Sequence, residues 1–175
     1  MFNSYYQING NISLRKIDME YVPSITNLRK KNKSYLPFLT WMENQSFTNY
    51  ETAIYVKNKL SLWSENKEWT FAIFYKEKLI GDFQIRKYNY ENEHKNEIEL
   101  GYWLDYKYRL KGIMSSIIEF ICNLSIELKI TKIIIVTDKS NVASINLALK
   151  LGFTKNDSLD HGYSDNSLIA FEKNI

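Results

Sequence analysis

A strand, a basic turn and a helix follow one another between residues 97 and 128, and this succession constrains the fold most. Residues 97–104 have the pattern of a strand, 105–111 that of a turn with three cations, and 112–128 that of a helix with one apolar face. The apolar, β-branched run 132–137 follows and predicts a buried strand. A strand that leads through a helix into another strand forms a parallel crossover. The sequence therefore predicts a sheet that is parallel in this part.

The rest of the chain shows the two periodicities that mark strands and helices. Alternating apolar and polar residues predict a strand at 12–17, and further strands are predicted at 69–75 and 79–87, with a closing hairpin from 153 onward and at 167–171. Helical spacing predicts one helix capped by Asp18, a second that begins with a capping box of Thr48 and Glu51, and a third over 141–151 that is ended by Gly152. Segments 33–41 and 89–96 are predicted to be irregular connections. The predicted order is β-α-α-β-β-β-α-β-α-β-β, an α/β (α+β mixed sheet) architecture.

Size and composition favour one soluble domain. The chain has 175 residues, 45% of them hydrophobic, and no linker or composition break, so we expect a single domain over 1–175. The N-terminus lacks the apolar stretch of a signal peptide. No apolar run approaches the roughly 20 residues of a membrane span. We therefore expect a cytoplasmic protein without a membrane partner.

Charge gives little reason to expect a nucleic-acid partner. The net charge is only +3, and no run of like charges has the length of a nucleic-acid-binding tail. The densest basic stretch, 29–33, is predicted to be the solvated end of a helix. A nucleic-acid module is the weakest alternative function, because no basic face with interleaved exposed aromatics is evident.

Cysteine and histidine offer no site of their own. The single cysteine, Cys122, excludes an internal disulfide and is predicted to pack in the core rather than act as a nucleophile. His94 and His161 are far apart and share no ligand spacing, so no metal site is predicted.

The turn at 105–111 has the chemistry of a phosphate site. Lys107, Arg109 and Lys111 make it positive, and the free amides at a helix start attract anions. Gly112 has no Cβ that would keep an anion away from the backbone. The turn matches neither a Walker loop nor a dinucleotide fingerprint. An ordinary helix start explains the same residues, so the turn by itself leaves both interpretations open.

A second polar group follows the strand at 132–137. Asn141 stands where the next helix should begin, and a helix N-cap fully accounts for an asparagine there. Ser144 lies one turn further, where its hydroxyl faces solvent or bonds to the backbone.

Together these two stretches closely resemble the GNAT acetyltransferase superfamily. The family's coenzyme turn, Arg/Gln-x-x-Gly-x-Gly/Ala, is matched by residues 109–114, and its second pattern, Asn-x-x-Ser/Ala followed by Gly-Phe, by residues 141–153. Segments 13–15, 35–41 and 99–104 look like the Rim-type branch, the ribosomal-protein N-terminal acetyltransferases. Three positions depart from the pattern: Leu110 stands where many members have Gly, Met114 where many have Gly or Ala, and Ala148 where many have a catalytic Tyr.

The resemblance implies a GNAT-like fold and transfer of an acetyl group from acetyl-CoA to a primary amine, without a metal. It places coenzyme A where strand 97–104 separates from strand 132–137, with the pyrophosphate at the amides of the turn. The residues that it gives to the coenzyme are Tyr102, Trp103, Leu104, Arg109, Leu110, Lys111, Gly112, Ile113, Met114, Ser115, Asn141 and Ser144. It also implies a homodimer, and the loop with Trp41 and Glu43 should face the acceptor.

Glu99 is the predicted general base, and Ser144 is the predicted acid in place of the missing tyrosine. The amine must lose a proton to attack, and an α-amine, with a pKa of about 8, needs less assistance than a lysine, with a pKa of about 10.4. Alternation along the strand puts Glu97 on the same face as Glu99, so Glu97 is the alternative base. A thiol with a pKa of about 8.5 leaves with little help, so the acid role of Ser144 is the weaker prediction.

Three functions remain open. The first is acetylation of a protein N-terminal α-amine. The second keeps the chemistry but uses a small amine, such as a polyamine, an amino sugar or an amino acid. The third is a non-catalytic sensor that binds an acyl-coenzyme. A polyamine site should show clustered carboxylates, and the sequence leaves this undecided because the candidates are scattered: Glu43, Glu51, Glu65 and Glu68.

Overall fold

The computed structural model describes residues 2–35, 46–88, 96–156 and 167–175. Its strands are β1 (Tyr5–Gln7), β2 (Ile12–Lys16), β3 (Glu68–Tyr75), β4 (Lys78–Lys87), β5 (Glu97–Leu104), β6 (Lys132–Asp138), β7 (Thr154–Lys155) and β8 (Leu168–Asn174). Its α-helices are α1 (Val22–Asn32), α2 (Asn49–Ser64), α3 (Ile113–Glu127) and α4 (Val142–Lys150).

The strands form one mixed sheet in the order β1-β2-β3-β4-β5-β6-β8-β7. Strand β2 runs antiparallel to β1 and β3, β5 and β6 are parallel, and β8 runs antiparallel to β6 and β7. The mixed sheet, the parallel crossover and the closing hairpin predicted from the sequence are therefore confirmed. The structure adds strand β1, which the predicted order lacks. This strand is three residues long and buries only Tyr6, too little for a periodic pattern to show.

The helix starts follow from local hydrogen bonding. The capping box before α2 is confirmed: Glu51 N donates to Thr48 Oγ1 at 3.1 Å, and Thr48 N donates to Glu51 Oε2 at 2.7 Å. The expectation that Asp18 caps the first α-helix is wrong. Asp18 Oδ1 accepts from Glu20 N at 3.0 Å and caps a short 3-10 turn, after which α1 starts. Pro23 fixes that start, since proline suits the first helical positions.

The chain divides into two compact units, which we describe separately. The first contains residues 1–84 and 102–113. Its core includes Ile17, Val22, Ile25 and Val56, which join the end of β2 to α1 and α2. A second cluster joins Leu28, Phe47 and Trp103.

The second unit contains residues 85–101 and 114–175. Its β5–β6 ladder runs from Glu97 opposite Lys132 to Leu100 opposite Ile135, while β6 pairs with β8 along its whole length to Asp138. Buried isoleucines of α3 and β6 supply much of its core: Ile117, Ile118, Ile121, Ile133 and Ile134. Among the described residues of the whole chain, none of the helices combines the length and apolarity needed to cross a bilayer.

Candidate active site

Asp105 anchors the turn that links β5 to α3. Its Oδ1 accepts from Lys107 N at 3.3 Å and caps a 3-10 turn, Tyr106–Tyr108. Its Oδ2 accepts from Lys31 Nζ at 2.6 Å, which ties the turn to α1. Burial raises the pKa of Asp105, but the bonds from Lys31 and Lys107 outweigh it, so the pKa lies below its ordinary value. The turn is thus fixed by an ionised carboxylate before the chain enters α3.

Two left-handed residues give the turn its shape. Leu110 has a φ of +58° and Gly112 a φ of +74°. A left-handed backbone costs a non-glycine residue about 1–2 kcal/mol. Leu110 bears this cost at a position where many family members have glycine, and its side chain is 99% exposed. A Cβ built on Gly112 would find no atom within 4 Å, so the backbone at the start of α3 faces open space.

The first residues of α3 offer backbone amides. The side chains of Ile113 and Met114 are buried, and that of Ser115 is half-buried. The first four N–H groups of an α-helix have no partner within the helix, and the helix dipole is positive there. This arrangement suits an anion that approaches past Gly112.

Arg109 adds an incompletely bonded cation to the turn. Its Nε donates to Leu104 O at 3.4 Å, and its Nη2 is buried without a hydrogen-bond partner among the described residues. Burial lowers the pKa of the guanidinium, and the charge of Asp105 opposes this shift. Lys107 and Lys111 are exposed nearby in the sequence. A phosphate would supply the acceptor that Arg109 Nη2 lacks.

The side chains at the end of β5 are engaged in packing. The ring of Tyr102 stacks on Phe83 at a centroid distance of 6.2 Å. Trp103 lies in the core with Leu28, and its Nε1 has no hydrogen-bond partner among the described residues. Leu104 is also buried. What Trp103 and Leu104 can offer a ligand is therefore mainly their backbone.

Glu99, the predicted base, lies in the second unit and forms an ion pair that the sequence did not reveal. Its Oε1 accepts from Arg86 Nη1 at 3.0 Å. Glu97 is buried to the same extent, and its backbone oxygen accepts from Tyr88 N at 2.9 Å. Burial therefore does not separate the two candidate bases, whereas the contact with Arg86 distinguishes Glu99.

Asn141 joins the end of β6 to α4. Its Oδ1 accepts from Ser144 N at 3.2 Å, which makes it the N-cap of α4, and its Nδ2 donates to Thr137 Oγ1 at 3.0 Å. Ser144 is buried in the first turn of the helix. The last paired residues of β5 and β6 are Leu100 and Ile135, and both strands continue beyond them.

Trp41, Glu43, His94 and His161 lie outside the described residues. Cys122 is half-buried on α3, and its burial raises the pKa of the thiol, as in a packing cysteine. The described part of the chain contains no group of three or more His, Cys, Asp or Glu side chains suited to a metal ion.

Comparison with known proteins identifies the family. Residues 11–154 match the model of the acetyltransferase (GNAT) domain. The chain belongs to the GNAT acetyltransferase family. Its sequence gave no match among curated proteins.

Solved structures share the GNAT fold of this chain over nearly its full length. RimL, a ribosomal L7/L12 α-N-protein acetyltransferase in complex with coenzyme A, has a TM-score of 0.84 and 22% identity, covering 98% of each chain. An acetyltransferase from Salmonella typhimurium that modifies the N-terminal serine of L7/L12 has a TM-score of 0.82 and 22% identity, covering 98% of this chain and 99% of that one. MccE, the microcin C7 self-immunity acetyltransferase in complex with acetyl-CoA and AMP, has a TM-score of 0.86 and 20% identity, covering 99% and 98%.

Proposed function

We propose that this acetyltransferase is a single domain over residues 1–175 that moves an acetyl group from acetyl-CoA to the α-amine of a protein N-terminus. The observation that carries the proposal is the turn before α3. It combines a left-handed Gly112 with open space beside it, the amides of a helix start and the unsatisfied Nη2 of Arg109. These groups suit the pyrophosphate of a coenzyme.

The coenzyme would contact the residues predicted from the sequence, each with a more specific role. The backbone at 102–104 would meet the pantetheine arm, and the amides and cations at 109–115 would meet the phosphates. Asn141 and Ser144 would act through the start of α4, since the Asn141 amide already forms the cap.

In the proposed reaction the amine nitrogen attacks the thioester carbonyl, so a C–N bond forms and the C–S bond breaks. Glu99 takes the amine proton, directly or through a water molecule. The sulfur leaves as a thiolate and takes a proton from solvent or from the Ser144 hydroxyl. The acyl donor is already activated, so orientation of the two substrates supplies much of the rate.

The acceptor is proposed from the neighbouring structures. One neighbour modifies the N-terminal serine of a ribosomal protein, and RimL is a ribosomal α-N-protein acetyltransferase. We therefore choose a serine-initiated peptide as the first acceptor to test. The proposal includes a cytoplasmic location and a homodimer, both on the strength of the resemblance.

A small-molecule acceptor is the second candidate. MccE has a TM-score of 0.86, and its structure holds acetyl-CoA with AMP, so the same fold also serves a small-molecule site. A polyamine, an amino sugar or an amino acid would replace the peptide in that case, with the same roles for the turn and Glu99.

The coenzyme site is tested by placing a charge at Gly112. Gly112→Glu should bind acetyl-CoA about 100-fold more weakly than Gly112→Gln, because the carboxylate repels the pyrophosphate. The two variants share the same side-chain size and the same left-handed strain, so the comparison isolates charge. The measurement is the rise in melting temperature caused by acetyl-CoA, together with a titration of its affinity.

The opposite results would overturn the proposal. Equal affinities in Gly112→Glu and Gly112→Gln would show that no phosphate lies at this turn. Binding of acetyl-CoA by the parent protein without thiol release for any peptide or small amine would favour a coenzyme sensor.

A further inference from the structure

The contact between Gly81 of β4 and the backbone of β5 is too close for any residue other than glycine. A Cβ built on the buried Gly81 would lie 2.1 Å from Trp103 O and 3.1 Å from both Trp103 C and Leu104 Cα. Cβ atoms in proteins essentially never come within 3.0 Å of another atom. All three neighbours belong to the main chain, so no change of rotamer could make room. A side chain at this position would therefore displace β5.

Neither backbone conformation nor stability explains a glycine at this position. Gly81 lacks the positive φ of Gly112 and Gly152, so its backbone would accept a side chain if space allowed. A glycine inside a strand also weakens it, because glycine loses more chain entropy on folding and leaves no side chain to pack. The close approach of another backbone is one of the situations for which a strand keeps a glycine.

Strand β4 is held in place on both sides of Gly81. Ile80 O accepts from Asp105 N at 2.7 Å, and Asp82 is enclosed in its ion pair with α1. Asp105 is in turn bound to α1 through its own carboxylate. The atoms that must yield to a Cβ at residue 81 are therefore those of the main chain at 103–104.

The main chain at 103–104 is part of the segment that the proposed function gives to the pantetheine arm of the coenzyme. The peptide groups of successive residues in a strand point to opposite edges. Because Asp105 N points to β4, the peptide groups of Leu104 point to the other edge, where Leu104 O accepts from Arg109 Nε at 3.4 Å. Gly81 thus lies behind the backbone that the arm would meet.

The pantetheine arm has the chemistry to recognise a strand edge. It is an extended chain with amide groups, which can exchange hydrogen bonds with a strand edge as a neighbouring strand does. Such bonds depend on where the peptide groups of the strand lie, so a displaced peptide group would lose them. The nucleotide half of the coenzyme has no such chain and would meet only the turn at 109–115.

We propose that Gly81 is a positioning residue for the pantetheine arm, because its missing side chain lets β4 hold the backbone at 103–104 in the path that the arm requires. This inference rests on the proposed function and adds a residue that acts on the coenzyme through β5 without touching it. The affinity for the arm should therefore depend on Gly81, whereas the affinity for the nucleotide half should not.

A comparison of two ligands on the parent protein is the first test. The ligands are acetyl-CoA and 3′-phosphoadenosine 5′-diphosphate, which is the nucleotide half of the coenzyme without the pantetheine arm. Labelling with ¹⁵N-glycine gives amide signals from only six residues. Acetyl-CoA should shift the signals of Gly81 and Gly112, because the arm bonds to the strand that Gly81 touches. The nucleotide should shift only Gly112, and Gly10, between β1 and β2, should move with neither ligand.

Gly81→Ala is the second test. This variant should raise the Kd of acetyl-CoA by about tenfold or more, the scale of one or two hydrogen bonds, and change the Kd of the nucleotide by less than about twofold. Partial unfolding would weaken both ligands by the same factor. The ratio of the two Kd values therefore reports the path of β5 and is independent of stability.

Two control variants accompany Gly81→Ala. Gly10→Ala makes the same substitution where a Cβ would meet no atom within 4 Å, and it should leave both Kd values unchanged. Thr52→Val removes a buried hydrogen bond between α1 and α2, from Thr26 Oγ1 to Thr52 Oγ1 at 2.8 Å. It should lower the melting temperature and leave the ratio of the two Kd values as it is in the parent.

The inference is overturned if Gly81→Ala weakens both ligands equally or leaves the affinity for acetyl-CoA intact. It is also overturned, whether or not that variant folds, if saturating acetyl-CoA leaves the Gly81 signal of the parent unmoved. A Gly112 signal that moves with neither ligand would instead show that the proposed coenzyme turn is wrong. The failure of the inference and the failure of the proposed function are thus distinguishable.

Discussion

Two of the arginine–carboxylate pairs among the described residues differ in separation and in exposure. In the first unit, Arg29 and Asp82 are 3.6 Å apart, and each side chain is 2% exposed. In the second unit, Arg86 and Glu99 are 3.0 Å apart, with side chains 29% and 12% exposed. Strand β4 supplies the carboxylate of the first pair and the arginine of the second. The closer contact is thus in the more exposed pair.

The difference indicates which pair can take part in chemistry. A proton acceptor must exchange protons with substrate and water, and of these two pairs the Arg86–Glu99 pair is the more exposed to solvent. The enclosed pair is part of the folded framework, and losing either partner leaves an uncompensated charge. We therefore expect changes in the first pair to act mainly on stability and changes in the second mainly on turnover.

The largest expected effect follows from breaking the enclosed pair. Arg29→Met should lower the free energy of unfolding by about 3–5 kcal/mol, because Asp82 stays buried without its cation. The double variant Arg29→Met with Asp82→Leu should recover more than half of that loss. Urea denaturation measures both. A loss below about 1 kcal/mol in the single variant would show that the pair is accessible to water, like an exposed pair.

A smaller effect on stability is expected from the second pair. Arg86→Met should lower the free energy of unfolding by about 1 kcal/mol or less, the range of accessible ion pairs. Turnover should fall by about tenfold, since Glu99 loses the contact that holds its Oε1. Denaturation and thiol release on the same sample check both statements. A loss of stability comparable to that of Arg29→Met, with turnover unchanged, would remove the distinction between the pairs.

The sequence predicted most elements because their periodicity is local. Strand alternation, the Thr48 capping box and the run 132–137 each depend on residues close in sequence, and each was confirmed. The burial of the Arg29 side chain depends on its ion pair with Asp82, which is distant in the sequence. The prediction that 29–33 is a solvated helix end is therefore wrong for Arg29, which is enclosed.

The candidate site, like the fold, could be predicted only where its pattern is local in the sequence. The family pattern marked the turn at 109–114, and the structure shows a left-handed backbone at Leu110, the position where many members have glycine. Pattern alone could not show that Trp103 packs into the core or that Arg86 meets Glu99. Both facts depend on how side chains from different elements pack together. The spacing of residues within one segment does not predict such contacts.

The pH profile of turnover for the parent, Glu99→Gln and Glu97→Gln tests the central claim most directly. With acetyl-CoA and a serine-initiated peptide, Glu99→Gln should lower thiol release near neutral pH by about 10²–10³-fold while binding acetyl-CoA as the parent does. The loss should shrink as the pH rises above the pKa of the acceptor amine, about 8, because the free amine then forms without a base. Glu97→Gln should do little. Full activity of Glu99→Gln near neutral pH, or a large loss in Glu97→Gln alone, would contradict the assignment of Glu99 as the base.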